Sequence, residues 1–81
     1  MNYESLLEQH FQEILKLNSE CELDIEDKSQ IKIDSSSFLA SQNGENIILE
    51  TNIIQKSKKI GILKLILNAR NEVIDEYFII N

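Results

Sequence analysis

The chain has no proline and no tryptophan, and it holds only one cysteine, one histidine and two glycines among its 81 residues. One cysteine excludes an intramolecular disulfide framework and indicates a reducing compartment. A structural zinc site needs four Cys or His ligands, twice the number that the chain contains. The two glycines are isolated and precede no predicted helix, which excludes a phosphate-binding loop.

Long apolar runs are also missing. No run approaches the roughly 18 residues that a transmembrane helix needs, so we expect no membrane span. The N-terminus shows neither the basic segment nor the unbroken apolar stretch of a signal peptide. With no linker or repeat to divide it, the chain predicts a single domain over residues 1–81 and a cytoplasmic location.

Groups for catalysis are scarce as well. Cys21 falls within an acidic stretch, on the side expected to face inward, where negative neighbours and burial disfavour a reactive thiolate. His10 falls on the apolar stripe of a predicted helix, which is typical of a packed or boundary residue. The spacing of Asp24, Glu26 and Lys28 lacks the oxygen ligands and the glycine of a calcium loop. We therefore expect no enzyme, no cofactor and no metal site.

What the chain does hold is aliphatic: 14 Ile and 10 Leu. Residues 3–18 predict an amphipathic helix, because their apolar side chains recur at steps of three and four. Asn2 is the predicted N-cap, Glu4 lies in the first turn, and Asn18 and Ser19 end the helix. The stripe comprises Tyr3, Leu6, Leu7, His10, Phe11, Ile14, Leu15 and Leu17.

From residue 20 the apolar period changes to two, which indicates strands. Short links between them favour antiparallel neighbours, and Asn43-Gly44 is a typical hairpin turn. The predicted fold is α+β: an N-terminal amphipathic helix packed on a five- to six-stranded antiparallel meander sheet. The predicted strands are residues 20–26, 30–34, 38–41, 47–54, 60–67 and 73–80.

The segment 60–67 is apolar at nearly every position, so both of its faces need cover. One helix of about 16 residues spans only ~24 Å and covers part of one face. A twofold partner packed sheet on sheet would cover the second face. A sheet that curls and closes partly on itself is the monomeric alternative.

Charge is placed unevenly along the chain. Residues 1–34 hold nine acidic and three basic residues, whereas residues 35–81 hold five of each, so the whole net charge of −6 lies in the first part. This argues against direct binding of nucleic acid, which depends on Lys and Arg contacts to phosphates. It favours a basic protein partner.

Within the acidic part, carboxylates alternate with Cys21, Leu23 and Ile25. An extended strand would place the acids on one face, and Asp34 on the next strand would extend the line. Solvation of a strand face, which also keeps an edge from pairing, is the plainer interpretation. The candidate partner-binding residues are Glu20, Glu22, Asp24, Glu26 and Asp34.

These patterns predict a non-catalytic binding or inhibitor protein that neutralises a basic macromolecular partner, such as a nucleic-acid-handling protein, through an acidic strand face. The alternative is a homo-oligomeric scaffold or chaperone-like assembly module, a homodimer in the simplest case, that uses the two-faced apolar sheet. A third interpretation is a small-ligand carrier with a pocket lined by Phe11, Phe38 and Phe78.

Overall fold

A computed structural model describes residues 2–81 as an N-terminal helix followed by a four-stranded antiparallel sheet. The strands lie in the order β1-β2-β3-β4, each paired antiparallel with the next along the chain. The elements are α1 (Tyr3–Leu17), α2 (Glu20–Leu23), a 3₁₀ turn (Lys28–Gln30), β1 (Ile31–Asn43), β2 (Asn46–Gln55), β3 (Lys58–Leu67) and β4 (Val73–Ile80).

The prediction of five to six strands is wrong for two local reasons. Residues 20–26 form α2 and a loop instead of a strand. The predicted strands 30–34 and 38–41 are one continuous strand, β1, interrupted by a bulge between Asp34 and Leu39. The bulge holds because the Ser37 hydroxyl accepts the Asn52 amide at 2.8 Å, and the buried Thr51 hydroxyl donates to the Asp34 carbonyl at 2.9 Å.

The helix prediction is confirmed to within one residue. The Asn2 side chain accepts the Ser5 amide at 3.1 Å, which satisfies one of the free N–H groups of the first turn. Glu4 lies in that first turn and Lys16 in the last, as the helix dipole favours. At the other end the Asn18 amide donates to the Ile14 carbonyl and closes α1.

The core lies between α1 and one face of the sheet. Phe11 of the helix is fully buried and stacks on Phe78 of β4 with ring centroids 6.4 Å apart. Alternate residues of β2 and β3 point into this layer. The buried apolar residues are Leu7, Phe11, Leu15, Ile31, Leu49, Ile53, Leu63, Leu65 and Leu67.

Bulges decide which side chains of the last two strands reach the core. The register shifts between Ile66 and Leu67, so Val73 packs against the core, whereas an uninterrupted alternation would place it on the same face as Tyr77 and Ile79. A second shift, between Ile53 and Ile54, lies next to Gly61. A Cβ at Gly61 would overlap the Ile79 carbonyl. The glycine therefore allows β4 to approach β3 closely at this point.

Candidate functional site

The five predicted partner-binding carboxylates do not form a line. Glu20 and Glu22 lie on the single turn of α2, and Asp24 ends that turn with a left-handed backbone, φ 59°. Glu26 follows in the loop, and Asp34 lies on β1. Because residues 20–26 are not extended, their side chains do not alternate between two faces, and the predicted acidic strand face is wrong.

Glu22 takes part in capping α2. The Ser19 backbone N–H donates to its carboxylate at 2.8 Å, and the Glu22 N–H donates to the Ser19 hydroxyl at 3.2 Å. This is a reciprocal capping box. The backbone hydrogen bond from Ser19, followed by the Ser19 hydroxyl, lowers the pKa of Glu22 below its ordinary value.

Other acids of the same region also accept local backbone hydrogen bonds. Asp27 accepts the Ser29 hydroxyl and amide, which in that order lower the pKa of Asp27. Asp34 accepts both the amide and the hydroxyl of Ser36, at 3.1 and 2.6 Å. Much of the acidic character of this segment therefore serves turns and caps.

The single cysteine lies where the sequence did not predict it, whereas the single histidine lies where it did. Cys21 is exposed, so its prediction as a small core residue is wrong. His10 is a boundary residue, as predicted, and its Nδ1 lies 3.2 Å from the Glu76 carboxylate, which links α1 to β4. In residues 2–81, no group of three or more His, Cys, Asp or Glu side chains is arranged to hold a metal ion.

The three phenylalanines do not line a common pocket. Phe11 and Phe78 stack in the core, and only Phe38 reaches a cleft of about 330 Å³ between the start of α1 and β1. The cleft is also lined by Leu7 and the buried Thr51, whose hydroxyl is already hydrogen-bonded. Its lining also includes Glu4, Ser5, Glu8 and Ser35, so it is a polar cleft and not the aromatic pocket that the sequence predicted.

The other face of the sheet is not covered by α1, and we call it the open face. It carries the alternate side chains of all four strands, opposite in direction to those of the core. Its central members belong to β2 and β3, the strands whose core-facing neighbours are fully buried. The open face comprises Lys32, Asp34, Leu39, Ser41, Ile48, Glu50, Asn52, Ile54, Lys59, Ile62, Lys64, Ile66, Asp75, Tyr77 and Ile79.

Apolar side chains make up much of the open face. Leu39, Tyr77 and Ile79 are 63%, 40% and 45% exposed. Ile48 and Ile66 are cross-strand partners in the middle of this face and are half-buried by their neighbours. Aromatic and aliphatic groups so grouped on one face differ from the apolar residues scattered singly on most protein surfaces.

One row of the open face carries opposite charges at its centre. The register aligns Leu39 of β1, Glu50 of β2, Lys64 of β3 and Tyr77 of β4 across the whole sheet. In residues 2–81 the ion pair within 4.0 Å joins His10 and Glu76, so Glu50 and Lys64 are neighbours without a direct ion pair. Their charged groups remain accessible for contacts outside the sheet.

Asp75, two residues before Tyr77 on β4, lies beside it in the neighbouring row. The Tyr77 hydroxyl donates to the Asp75 carboxylate at 2.8 Å. This hydrogen bond, together with the negative charge of Asp75, raises the pKa of Tyr77 above its ordinary value. The exposed ring is therefore held in place on the face by its own strand.

Sequence reasoning missed α2 and the central charge pair. The sequence Ser19-Glu20-Cys21-Glu22 matches the capping-box pattern of Ser or Thr followed three residues later by Glu, and it indicated a helix start. The pairing of Glu50 with Lys64 had no such local signal, because it depends on the register between β2 and β3.

Comparison with protein families, curated proteins and solved structures finds no match for this chain. In the part that the structure describes, no helix is both long enough and apolar enough to span a membrane.

Proposed function

We propose that this protein is a non-catalytic, cytoplasmic assembly module that associates with a second copy of itself through the open face of its sheet. The observation that supports the proposal most strongly is that face, where aliphatic and aromatic side chains of four strands are grouped with no helix over them. Burial of such surface drives association.

The charge of the open face favours a second copy over a partner of one strong charge. Acidic and basic residues occur together there: Glu50 beside Lys64 at the centre, and Lys32 near Asp34 at one edge. A surface with both signs can complement another copy of itself when a twofold axis brings opposite charges together. A strongly basic partner would repel the lysines of the open face, and a strongly acidic partner would repel its carboxylates.

The size of the open face sets the expected strength. Four strands spaced about 4.8 Å apart and eight residues of about 3.3 Å each give a face of roughly 500 Å². A standard stable interface buries about 800 Å² per partner, and smaller ones are weak or transient. We therefore expect a reversible dimer that forms at micromolar concentration instead of an obligate one.

Replacement of two central isoleucines tests the proposal. The double substitution Ile62→Thr with Ile66→Thr removes apolar surface from the open face, while threonine keeps the branched side chain that strands favour. We expect the dimer dissociation constant to rise at least about tenfold, which corresponds to a loss of about 1.4 kcal/mol. Sedimentation velocity over a concentration series measures it.

Leu17→Thr is the matched control, because Leu17 is 78% exposed at the end of α1 and lies off the open face. It removes a comparable apolar side chain and leaves self-association unchanged. Circular dichroism verifies that all variants keep the fold. Equal self-association of the double variant and the control contradicts the proposal, and so does a wild-type protein that stays monomeric.

A basic macromolecular partner, such as a nucleic-acid-handling protein, is the second candidate. The observation that favours it is the concentration of the net charge, −6, in residues 1–34. In this candidate function, the acidic residues attract the partner as a diffuse negative region and not as a line of carboxylates along a strand. Salt separates the two candidates, because added salt screens attraction to a basic partner and leaves apolar self-association in place.

A further inference from the structure

We infer the geometry of the dimer: two copies pack face to face about a twofold axis that runs parallel to the strands, between β2 and β3, so that Glu50 lies over the partner's Lys64. The inference rests on the proposed function, and it adds which residues meet across the interface.

The choice of axis follows from the register. Two sheets that pack face to face in the aligned arrangement are related by a twofold axis between them, which runs close to the strand direction or across it. An axis along the strands, between β2 and β3, places β2 over the partner's β3. Glu50 and Lys64 share one cross-strand row, so each then lies over the other residue type of the second copy.

An axis across the strands gives a poorer result. Centred on the same row, it places Glu50 over the partner's Glu50 and Lys64 over the partner's Lys64. Moved by half a row spacing, it places Lys64 over the partner's Ile62 and leaves a charge against an apolar group. Like charges repel, and a charge buried without a partner loses its hydration. The central charges therefore select the first axis.

The edges of the central row and the row of Ile48 fit the same axis, whereas the row of Asn52 places Asp34 over the partner's Ile79 at the rim of the interface. Leu39, the most exposed apolar side chain of the open face, lies over the partner's Tyr77, so the two edges of the central row cover each other. In the next row, Ile48 lies over the partner's Ile66. The charged centre is thus bordered by apolar contacts at the ends of its own row and in the row of Ile48. Charge pairs placed in this way determine the register of the two copies.

Charge reversal tests the inference. Glu50→Lys and Lys64→Glu each place like charges across the predicted interface, so each variant alone should dimerise at least about tenfold more weakly than wild type. Mixed in equal amounts, the two variants should form a heterodimer, because every central contact is again between opposite charges. Native mass spectrometry with one variant labelled with ¹⁵N detects it. The chain that carries both substitutions should regain the homodimer.

Glu45→Lys and Lys58→Glu are the matched controls, since they reverse the same charges at exposed hairpin positions off the open face. They should dimerise as wild type does and show no preference for each other. Circular dichroism shows whether a variant that fails to dimerise is still folded. We expect the variants to fold, because like charges on neighbouring strands cost only about tenths of a kcal/mol of stability.

The outcomes distinguish this inference from the proposed function. A wild-type dimer that is indifferent to both charge reversals overturns the inferred axis while self-association stands, and pairing of copies through the β4 edge would give that result. A wild-type dimer whose reversed variants show no preference for each other in the mixture overturns it equally. A wild-type protein that stays monomeric overturns both.

Discussion

At the scale of single residues, most of the acids in the first part of the chain are explained by local structure. Glu22 and Ser19 cap each other, and Asp27 and Asp34 each accept from a serine two residues later. Short polar side chains compete for backbone hydrogen bonds in this way, and they start and end turns. An acidic composition alone therefore did not locate a binding surface.

The capping box makes a pH-dependent contribution that can be measured. Hydrogen bonds from Ser19 lower the pKa of Glu22 below its ordinary value of 4.5, so the unfolded state binds a proton more readily than the folded state. The stability that Glu22 contributes is fully present above the pKa of its carboxyl in the unfolded state. It is lost as the pH falls through the lower pKa of the folded state. Glu22→Gln should therefore reduce the loss of stability below pH 4.5.

Urea unfolding at neutral and acidic pH checks this prediction. Glutamine still accepts the Ser19 N–H, so Glu22→Gln keeps the box at neutral pH but loses the contribution of the negative charge together with its titration. Ser19→Ala is the comparison, because it removes the cap itself and should cost about 1 kcal/mol at neutral pH. An acid dependence identical in wild type and Glu22→Gln would show that Glu22 does not contribute.

At the scale of elements, periodicity predicted the long segments and failed on the short one. The helix α1 and the strands β2, β3 and β4 match their predicted ranges closely, since each has many repeats of its apolar period. Residues 20–26 hold too few repeats to separate a helical turn from a strand. Leu23 and Ile25 nevertheless pack against the core whereas Cys21 is exposed, so the pattern indicated burial correctly for two of its three apolar residues and conformation wrongly.

Bulges are the second feature, and the sequence marked them only in part. An odd number of inserted residues reverses the face of everything after it. The serine run 35–37 and Gly61 lie at two of the three register shifts, whereas no such residue marks the third, in β4. The shift in β4 brings Val73 to the core side. Which residues form the open face could therefore be learned only from the structure. The need for cover on a second face, by contrast, followed from the apolar run 60–67.

The shift beside Gly61 depends on the absence of a side chain. Gly61→Ala would bring a Cβ into the Ile79 carbonyl and the Ile80 backbone, and overpacking of this kind costs about 1–3 kcal/mol. We expect the substitution to loosen β4, so that the amides of Ile79 and Ile80 exchange with solvent faster. Hydrogen exchange of backbone amides measures this.

Gly44→Ala is the control for that experiment. Gly44 has φ 64° in the β1–β2 turn and no atom within 4 Å of an added Cβ, so its substitution strains the turn alone. It should leave the exchange of the β4 amides unchanged. If the β4 amides of Gly61→Ala also exchange at the wild-type rate, the strands accommodate the added Cβ without loss of stability and the prediction is wrong.

At the scale of the whole molecule, one helix and one sheet leave half of the sheet surface without a covering layer. Domains of this kind bury each apolar face against another element, and the elements within residues 2–81 supply a layer for one face only. A chain of 81 residues also has a small core, which self-association would supplement. The second copy completes a structure of helix, sheet, sheet and helix.

The most direct test is an isotope-filtered nuclear Overhauser experiment on a mixture of ¹³C-labelled and unlabelled protein at a concentration where dimers form. It detects methyl groups of one copy that lie close to protons of another. The account predicts intermolecular contacts between Ile48 and the partner's Ile66, and between Leu39 and the partner's Tyr77. Intermolecular contacts confined to other surfaces, or none at any concentration, would contradict it.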